Sequence, residues 1–318
     1  MPSDCTKMTK KQIMDRKDDV NLHDIIDAAN PDCIYAEVKH IAKSIYEDFD
    51  FAFLDQAYKD ISRLFRGKYP GYRRSNTKYH DLRHTLEVFL CTARLLHGAV
   101  VEGVPLSMRN LGLGLLSALF HDTGLLQTED DTEGTGAKYT VGHEKRSVNF
   151  LTHYFAKHGR PEDERKDVDL MITSTNLSVS TQDLSFPNKE ISLAAKVMAT
   201  ADLLAQMADR EYLEKLLLLY LEFKEAGLPY ESMYELLSKT HGFYAMARNR
   251  LAVSLDGVSA YMLPHFKARW GLDRDLYNDS MEKNMDYLDV VLKEGEENFL
   301  NRLKRGNIHE KLLRLEAI

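Results

Sequence analysis

Residues 111–122 read Leu111-Gly-Leu-Gly-Leu-Leu-Ser-Ala-Leu-Phe120-His121-Asp122, ten mostly apolar residues that end in an imidazole and a carboxylate. A helix that is apolar almost all round has no face to offer water and belongs at the centre of a helical packing. Gly112, Gly114, Ser117 and Ala118 are small enough to let neighbouring helices come close. The helix opens at Pro105 or Ser107 and delivers His121 and Asp122 at its far end, just before Gly124.

Helical spacing continues on both sides. Ile34, Val38, Ile41 and Ile45 recur at intervals of four, three and four, one apolar face of a helix. Phe53, Leu54, Ala57, Ile61, Leu64 and Phe65 repeat the pattern until Pro70 and Gly71 stop it. A long helix is expected over residues 79–98, with Leu82, Leu86, Phe89, Leu90, Ala93 and Leu96 inward. Further helices are expected from residue 143, over 161–175, from 191, and over 212–226, 230–251, 258–270 and 276–303. Residues 127–142 break the rhythm with acids, threonines and three glycines, and form a loop at the edge of whatever His121 and Asp122 build. No alternating strand and no internal repeat stands out, so the expected fold class is all-α. Residues 1–30 read as a partly ordered arm whose docking points are Ile13, Met14, Val20 and Leu22 to Ile26. Residues 31–318 read as one multi-helix domain, with its core at 79–270 and C-terminal helices over 275–318. On the last helix Met281, Met285, Leu288, Leu292, Phe299 and Leu303 form a stripe that packs on its own domain or serves as a homodimer seam.

Composition limits the function classes. The 318 residues are 44% hydrophobic, enough to bury a large core, and carry a net charge of −7. An acidic chain without a clustered basic face argues against general nucleic-acid binding and against anionic membranes. The longest apolar runs fall far short of the roughly 18 residues of a membrane span. Cys5, Cys33 and Cys91 are odd in number and far apart, which suggests neither a disulfide framework nor a metal knuckle. A reducing, cytoplasmic location is the corresponding expectation.

The charged residues inside apolar helices are the informative ones. An isolated histidine in a helix is ordinarily a surface or satisfied core residue, and His23, His40, His97, His153, His158 and His309 are read so. Asp202 differs, because it sits between Val197-Met-Ala-Thr-Ala201 and Leu203-Leu204, where an unpaired carboxylate must neutralise, pair or bind a cation. His121-Asp122 poses the same problem, and neither run contains a lysine or arginine. Tyr79-His80-Asp81-Leu82-Arg83-His84 adds two imidazoles one helical turn apart. His84, His121, Asp122 and Asp202 are therefore expected to converge on a divalent metal, with His80 as a nearby proton donor.

The order Tyr-His-x-x-x-His, His-Asp, then a lone Asp in an alanine-rich helix resembles the HD-domain metal-dependent phosphohydrolases, and within them the catalytic domain of the class I cyclic nucleotide phosphodiesterases. The resemblance runs over residues 79–270, about three fifths of the chain. The family pattern Tyr-His-Asn-x-x-His-Ala-x-Asp-Val is matched by Tyr79-His80-Asp81-Leu82-Arg83-His84-Thr85-Leu86-Glu87-Val88. By this similarity His80 is the general acid, and His84, His121, Asp122 and Asp202 hold a metal. Asp122 then bridges to a second one, behind which lie His143 and Glu144. Two divalent ions, zinc, magnesium, manganese or iron, are the implied cofactors, and a small phosphate ester, nucleotide-like, is the implied substrate. Attack by water ionised between the ions follows from the same resemblance. Asp81 and Glu87 are expected to orient the histidines as acceptors, Asp81 raising the His80 pKa.

This chain also departs from the pattern. A third histidine usual after His-Asp is replaced by Leu125. The purine clamp Ser-Gln-Val-Gly-Phe-x-x-Tyr corresponds to Ser254-Leu255-Asp256-Gly257-Val258-Ser259-Ala260-Tyr261. Leu255 offers no amide for a base, and Val258 no ring to stack on. Tyr79, Leu255 and Val258 are the candidate substrate contacts, for a substrate other than cAMP or cGMP. Two other classes remain open: a metal-binding signalling module without turnover, and a di-iron oxygenase of HD architecture, which would need further histidine ligands.

Overall fold

The computed structural model describes residues 5–308 and Leu312. Among them run twelve α-helices and no β-strand. They are α1 (Lys10–Asp15), α2 (Pro31–Ile45), α3 (Ala52–Phe65), α4 (Leu82–Val101), α5 (Met108–Phe120) and α6 (His143–Lys157). There follow α7 (Glu162–Thr173), α8 (Lys189–Met207), α9 (Tyr212–Glu225), α10 (Met233–Asn249), α11 (Met262–Trp270) and α12 (Leu276–Leu292). The all-α expectation holds. Of the C-terminal helices expected over 275–318, residues 309–318 other than Leu312 lie outside the described residues, and His309 with them.

Local chemistry sets the starts of the three central helices. The side chains of Asp81, Ser107 and Asn188 accept the backbone N–H of His84, Asn110 and Ile191, capping α4, α5 and α8. Such a cap stabilises a helix by about 1 kcal/mol, because it satisfies a donor that the helix itself cannot. The Asp81 cap also explains why α4 begins three residues later than its apolar pattern suggests. The α5 helix is as central as its sequence implies: Leu111, Leu115, Ala118, Leu119 and Phe120 are wholly buried. Gly114 lies so close to α4 that a Cβ there would be 2.9 Å from Leu96 Cδ1. One cluster of buried apolar residues draws on all twelve helices.

Other element boundaries differ from the sequence reading as well. The last long helix stops at Leu292, with Gly295 just beyond in the left-handed region at φ 74°, which ends the helical run before Phe299 and Leu303. The stripe nevertheless packs inward, for Met281, Met285, Leu288, Phe299 and Leu303 are all buried within this chain. The α10 helix passes into a π-turn over Arg250–Ser254.

The arm is docked through Ile13, Val20, Ile25 and Ile26, all buried, while Met14 stays exposed. The cysteine reading needs correction: Cys5 and Cys33 are joined by a disulfide, and only Cys91 is free. Folding the arm back onto α2 brings together two thiols 28 residues apart, which sequence spacing does not reveal. The cysteines thus give no support to a reducing compartment. No single helix among the described residues is long and apolar enough to cross a membrane.

Candidate metal centre

Three helices meet at one point. His84 lies in the first turn of α4, His121 and Asp122 follow the last turn of α5, and Asp202 projects from α8. Nε2 of His84 is 3.3 Å from Asp202 Oδ1 and 3.6 Å from Asp122 Oδ2. Nε2 of His121 is 3.3 Å from Asp122 Oδ2 and 3.7 Å from Asp202 Oδ1. Ligands at about 2.0–2.1 Å from a tetrahedral ion lie about 3.3–3.4 Å from one another; His84, His121 and Asp122 each bring one donor atom within 4.8 Å of the other two, and Asp202 adjoins them through the two imidazoles. His84, His121 and Asp122 are buried, while the Asp202 side chain keeps 27% of its surface, facing an adjoining cavity.

The donor atoms fit a cation in a second way. His121 Nε2 and Asp122 Oδ2 are buried and make no hydrogen bond, an expensive state unless something else meets them. His121 Nδ1 donates to the Ala118 carbonyl at 2.9 Å, which leaves Nε2 as the lone-pair nitrogen a metal requires. Burial works against charge on these groups, yet their mutual attraction outweighs it. Asp122 is held well below the ordinary carboxylate range by His121, and His121 is pushed up to about 9 by Asp122, so a cation binding at Nε2 has to displace a proton. Asp202 is lowered as well, its burial outweighed by the hydrogen bond from His84. No lysine or arginine pairs with Asp122 or Asp202 among the described residues.

Asp122 faces two ways. Its Oδ1 is 3.4 Å from Nε2 of His143, whose Nδ1 donates to the Thr140 carbonyl at 2.8 Å and so leaves Nε2 open. Glu144 lies beside it, its buried Oε2 3.7 Å from His143 Nδ1 and without a hydrogen bond. Gly142, at φ 85°, makes the turn that opens α6 at this place. The His-Asp turn is locked to α6 by Ser147, whose hydroxyl donates to the His121 carbonyl and accepts the Gly124 N–H. Arg146 is fixed too, donating to the carbonyls of Gly124 and Leu126, so it is not free to steer a phosphate.

His80 stands at the cavity wall, and its Nδ1 is 2.5 Å from Glu222 Oε2 on α9. Burial disfavours the imidazolium, but the Glu222 carboxylate outweighs it and raises His80 to about 9. Glu222 is absent from the sequence reading, although it is an acid between Leu221 and Phe223 and the rule applied to Asp202 singles it out equally. It supplants Asp81, whose carboxylate caps α4 instead. Glu87 also falls out of its expected role, since it pairs with Arg83 at 2.9 Å and Lys215 at 3.5 Å rather than with a histidine.

The cavity beside the ligands measures about 440 Å³. Tyr79, His80, His84, Asp122, His143, Glu144 and Asp202 all line it, and Thr140 to Gly142 form part of its edge, as expected of the loop. The acidic stretch of that loop is tied down elsewhere, Asp131 being held by Lys138 and Tyr139. Leu255 and Val258 are buried and line no part of this cavity, so they are not contacts for its occupant. The chain instead supplies Phe223, Tyr230 and Phe243 as rings and Gln206, Asn176 and Thr240 as polar groups, none of which the motif comparison indicates. A scan against protein-family models finds no match, and a search of curated proteins finds no relative.

Proposed function

We propose that this chain is a metal-dependent phosphohydrolase of the HD-domain kind, acting on a phosphodiester or phosphomonoester of a nucleotide-like substrate. The observation that carries the reading is the convergence of His84, His121, Asp122 and Asp202 to within 3.3–3.7 Å across their closest pairs, beside an imidazole held in its acidic form. His84, His121, Asp122 and Asp202 would hold one divalent ion, and Asp122 with His143 and Glu144 would face a second. When bound, such ions ease the ionisation of water and offset the charge of the phosphoryl oxygens.

The residues of the chain account for the remaining steps. With Nδ1 given to Glu222, His80 has Nε2–H left to donate to the departing ester oxygen, a role that contributes about 10²–10⁴-fold. Tyr79 packs edge-on against His80, ring centroids 4.8 Å apart, and helps to fix its plane. Apolar and aromatic groups around the opening favour a substrate with an organic body rather than free phosphate.

The test is hydrolysis of a panel of bis-p-nitrophenyl phosphate, cyclic nucleotides and nucleoside monophosphates with Mn²⁺, Mg²⁺, Zn²⁺ or Fe²⁺ added. Metal-stimulated release of product from at least one ester is expected. Bound metal with no turnover of any ester would instead indicate the signalling module.

A further inference from the structure

The segment after α7, residues 174–179, contributes Thr175, Asn176, Leu177 and Ser178 to the wall of the metal cavity. Its shape is enforced from outside. Arg250, buried at the start of the π-turn that follows α10, donates to the carbonyls of Ser174 at 2.9 Å, Asn176 at 3.1 Å, Leu177 at 3.3 Å and Val179 at 3.1 Å. The Thr181 hydroxyl adds a bond to the Ser254 carbonyl at the other end of the same turn. No carboxylate pairs with Arg250 among the described residues, so a guanidinium that is costly to bury is committed to this one segment.

Within that segment Asn176 Oδ1 accepts the Ser178 N–H at 2.8 Å, which fixes the amide's orientation and leaves Nδ2 as its free donor. Nδ2 makes no hydrogen bond among the described residues, and it is not one of the side-chain atoms sealed from solvent. Thr140, Thr175 and Thr240, on the same wall, spend their hydroxyl protons on the carbonyls of Ala137, Ile172 and Leu236. The Gln206 amide on α8 is uncommitted too, but no bond fixes its orientation among the described residues. A donor that is held in place, accessible and unfilled is what a pocket uses to read an acceptor on its ligand. We propose that Asn176 is a specificity-determining contact, its Nδ2 donating to an oxygen or nitrogen acceptor on the organic part of the ester, and that Arg250 is the positioning residue that holds it there. This rests on the phosphohydrolase reading, in which the ions take the phosphoryl oxygens. It narrows the substrate to esters whose body carries such an acceptor rather than a plain hydrocarbon.

The test compares the p-nitrophenyl esters of thymidine monophosphate, whose body is rich in acceptors, and of phenyl phosphate, whose body has none. Both are singly charged diesters that release the same p-nitrophenolate. The full chain is assayed with Mn²⁺ added, and the readout is the thymidine-to-phenyl ratio of kcat/KM, in which effects common to both esters cancel. Asn176→Ala should lower that ratio about three- to tenfold, the worth of one hydrogen bond. Asn176→Asp keeps the acceptor for the Ser178 N–H and loses the donor, so it should lower the ratio at least as far. Arg250→Lys should lower it through the KM of the thymidine ester, whereas mere loss of folded protein would reduce kcat for both esters and leave the ratio as it was. An unchanged ratio in the two Asn176 variants overturns the assignment and leaves the hydrolase reading standing, as does a parent that hydrolyses the phenyl ester alone. An unchanged ratio in Arg250→Lys overturns its positioning role. Hydrolysis of neither ester by the metal-loaded parent overturns the hydrolase reading, and this assignment with it.

Discussion

Glu222 Oε2 lies 2.5 Å from His80 Nδ1, while Oε1 of the same carboxylate accepts the backbone N–H groups of Tyr79 and His80. One side chain on α9 thus fixes the position, the tautomer and the charge of the imidazole at the cavity wall.

A pH profile follows from that contact. His80 is raised from 6.5 to about 9, so its acid form, and the stability its charge contributes, is fully present below pH 6.5 and is lost as pH rises through about 9. Activity that needs the acid form should therefore fall on an alkaline limb near pH 9. In Glu222→Gln the largest influence opposing the burial of His80 is gone, and the limb should move down from about 9 toward 6.5, read from kcat/KM against pH. His80→Ala should keep its metal, measured by elemental analysis, and slow turnover by about 10²-fold or more. An unmoved limb in Glu222→Gln would remove His80 from the role of acid.

How much of this was legible in the sequence depended on whether the signal was local. Asp202 and His121-Asp122 announced themselves because a charge inside an apolar helix needs a partner wherever that helix docks. The helices were legible for the same reason, each apolar face being a local pattern. Glu222 carried the same signal, but its pairing with His80 spans 142 residues and exists only once α9 has docked. Asp81 was misread although its role is local: three residues before His84 it is placed to cap α4, and the cap takes the carboxylate that was assigned to an imidazole. Leu255 and Val258 failed differently, since likeness to a motif says which residues correspond but not which cavity they line.

Gly124 is constrained by close approach rather than by its φ. A Cβ there would sit 2.0 Å from the His143 carbonyl oxygen and 2.7 Å from the Ser147 nitrogen, both backbone atoms of α6. Gly124→Ala should therefore push α6 away from the His-Asp turn and cost about 1–3 kcal/mol, seen as a lower urea midpoint with an unchanged m-value. Metal affinity should fall with it, because His143 and Asp122 face each other across that contact. A variant as stable as the parent would mean that the turn and α6 are less tightly joined.

The Cys5–Cys33 disulfide ties the arm to α2 across 28 residues. Closing a loop of that length restricts the unfolded chain, for a stabilisation of about 3–4 kcal/mol on the loop-entropy estimate. Dithiothreitol should lower the urea midpoint of the parent and leave Cys5→Ser unchanged at its lower value. If reduction leaves the parent midpoint where it was, the arm is held by Ile13, Val20, Ile25 and Ile26 alone.

The central claim is that His84, His121, Asp122 and Asp202 form a metal site on which ester hydrolysis depends. It is tested most directly by the rate of bis-p-nitrophenyl phosphate hydrolysis in the chelated full chain as Mn²⁺ is added back, parent against Asp122→Ala. An inactive chelated protein is expected, with saturable recovery in the parent and none in Asp122→Ala. Undiminished hydrolysis after chelation, or equal recovery in the two proteins, would contradict it.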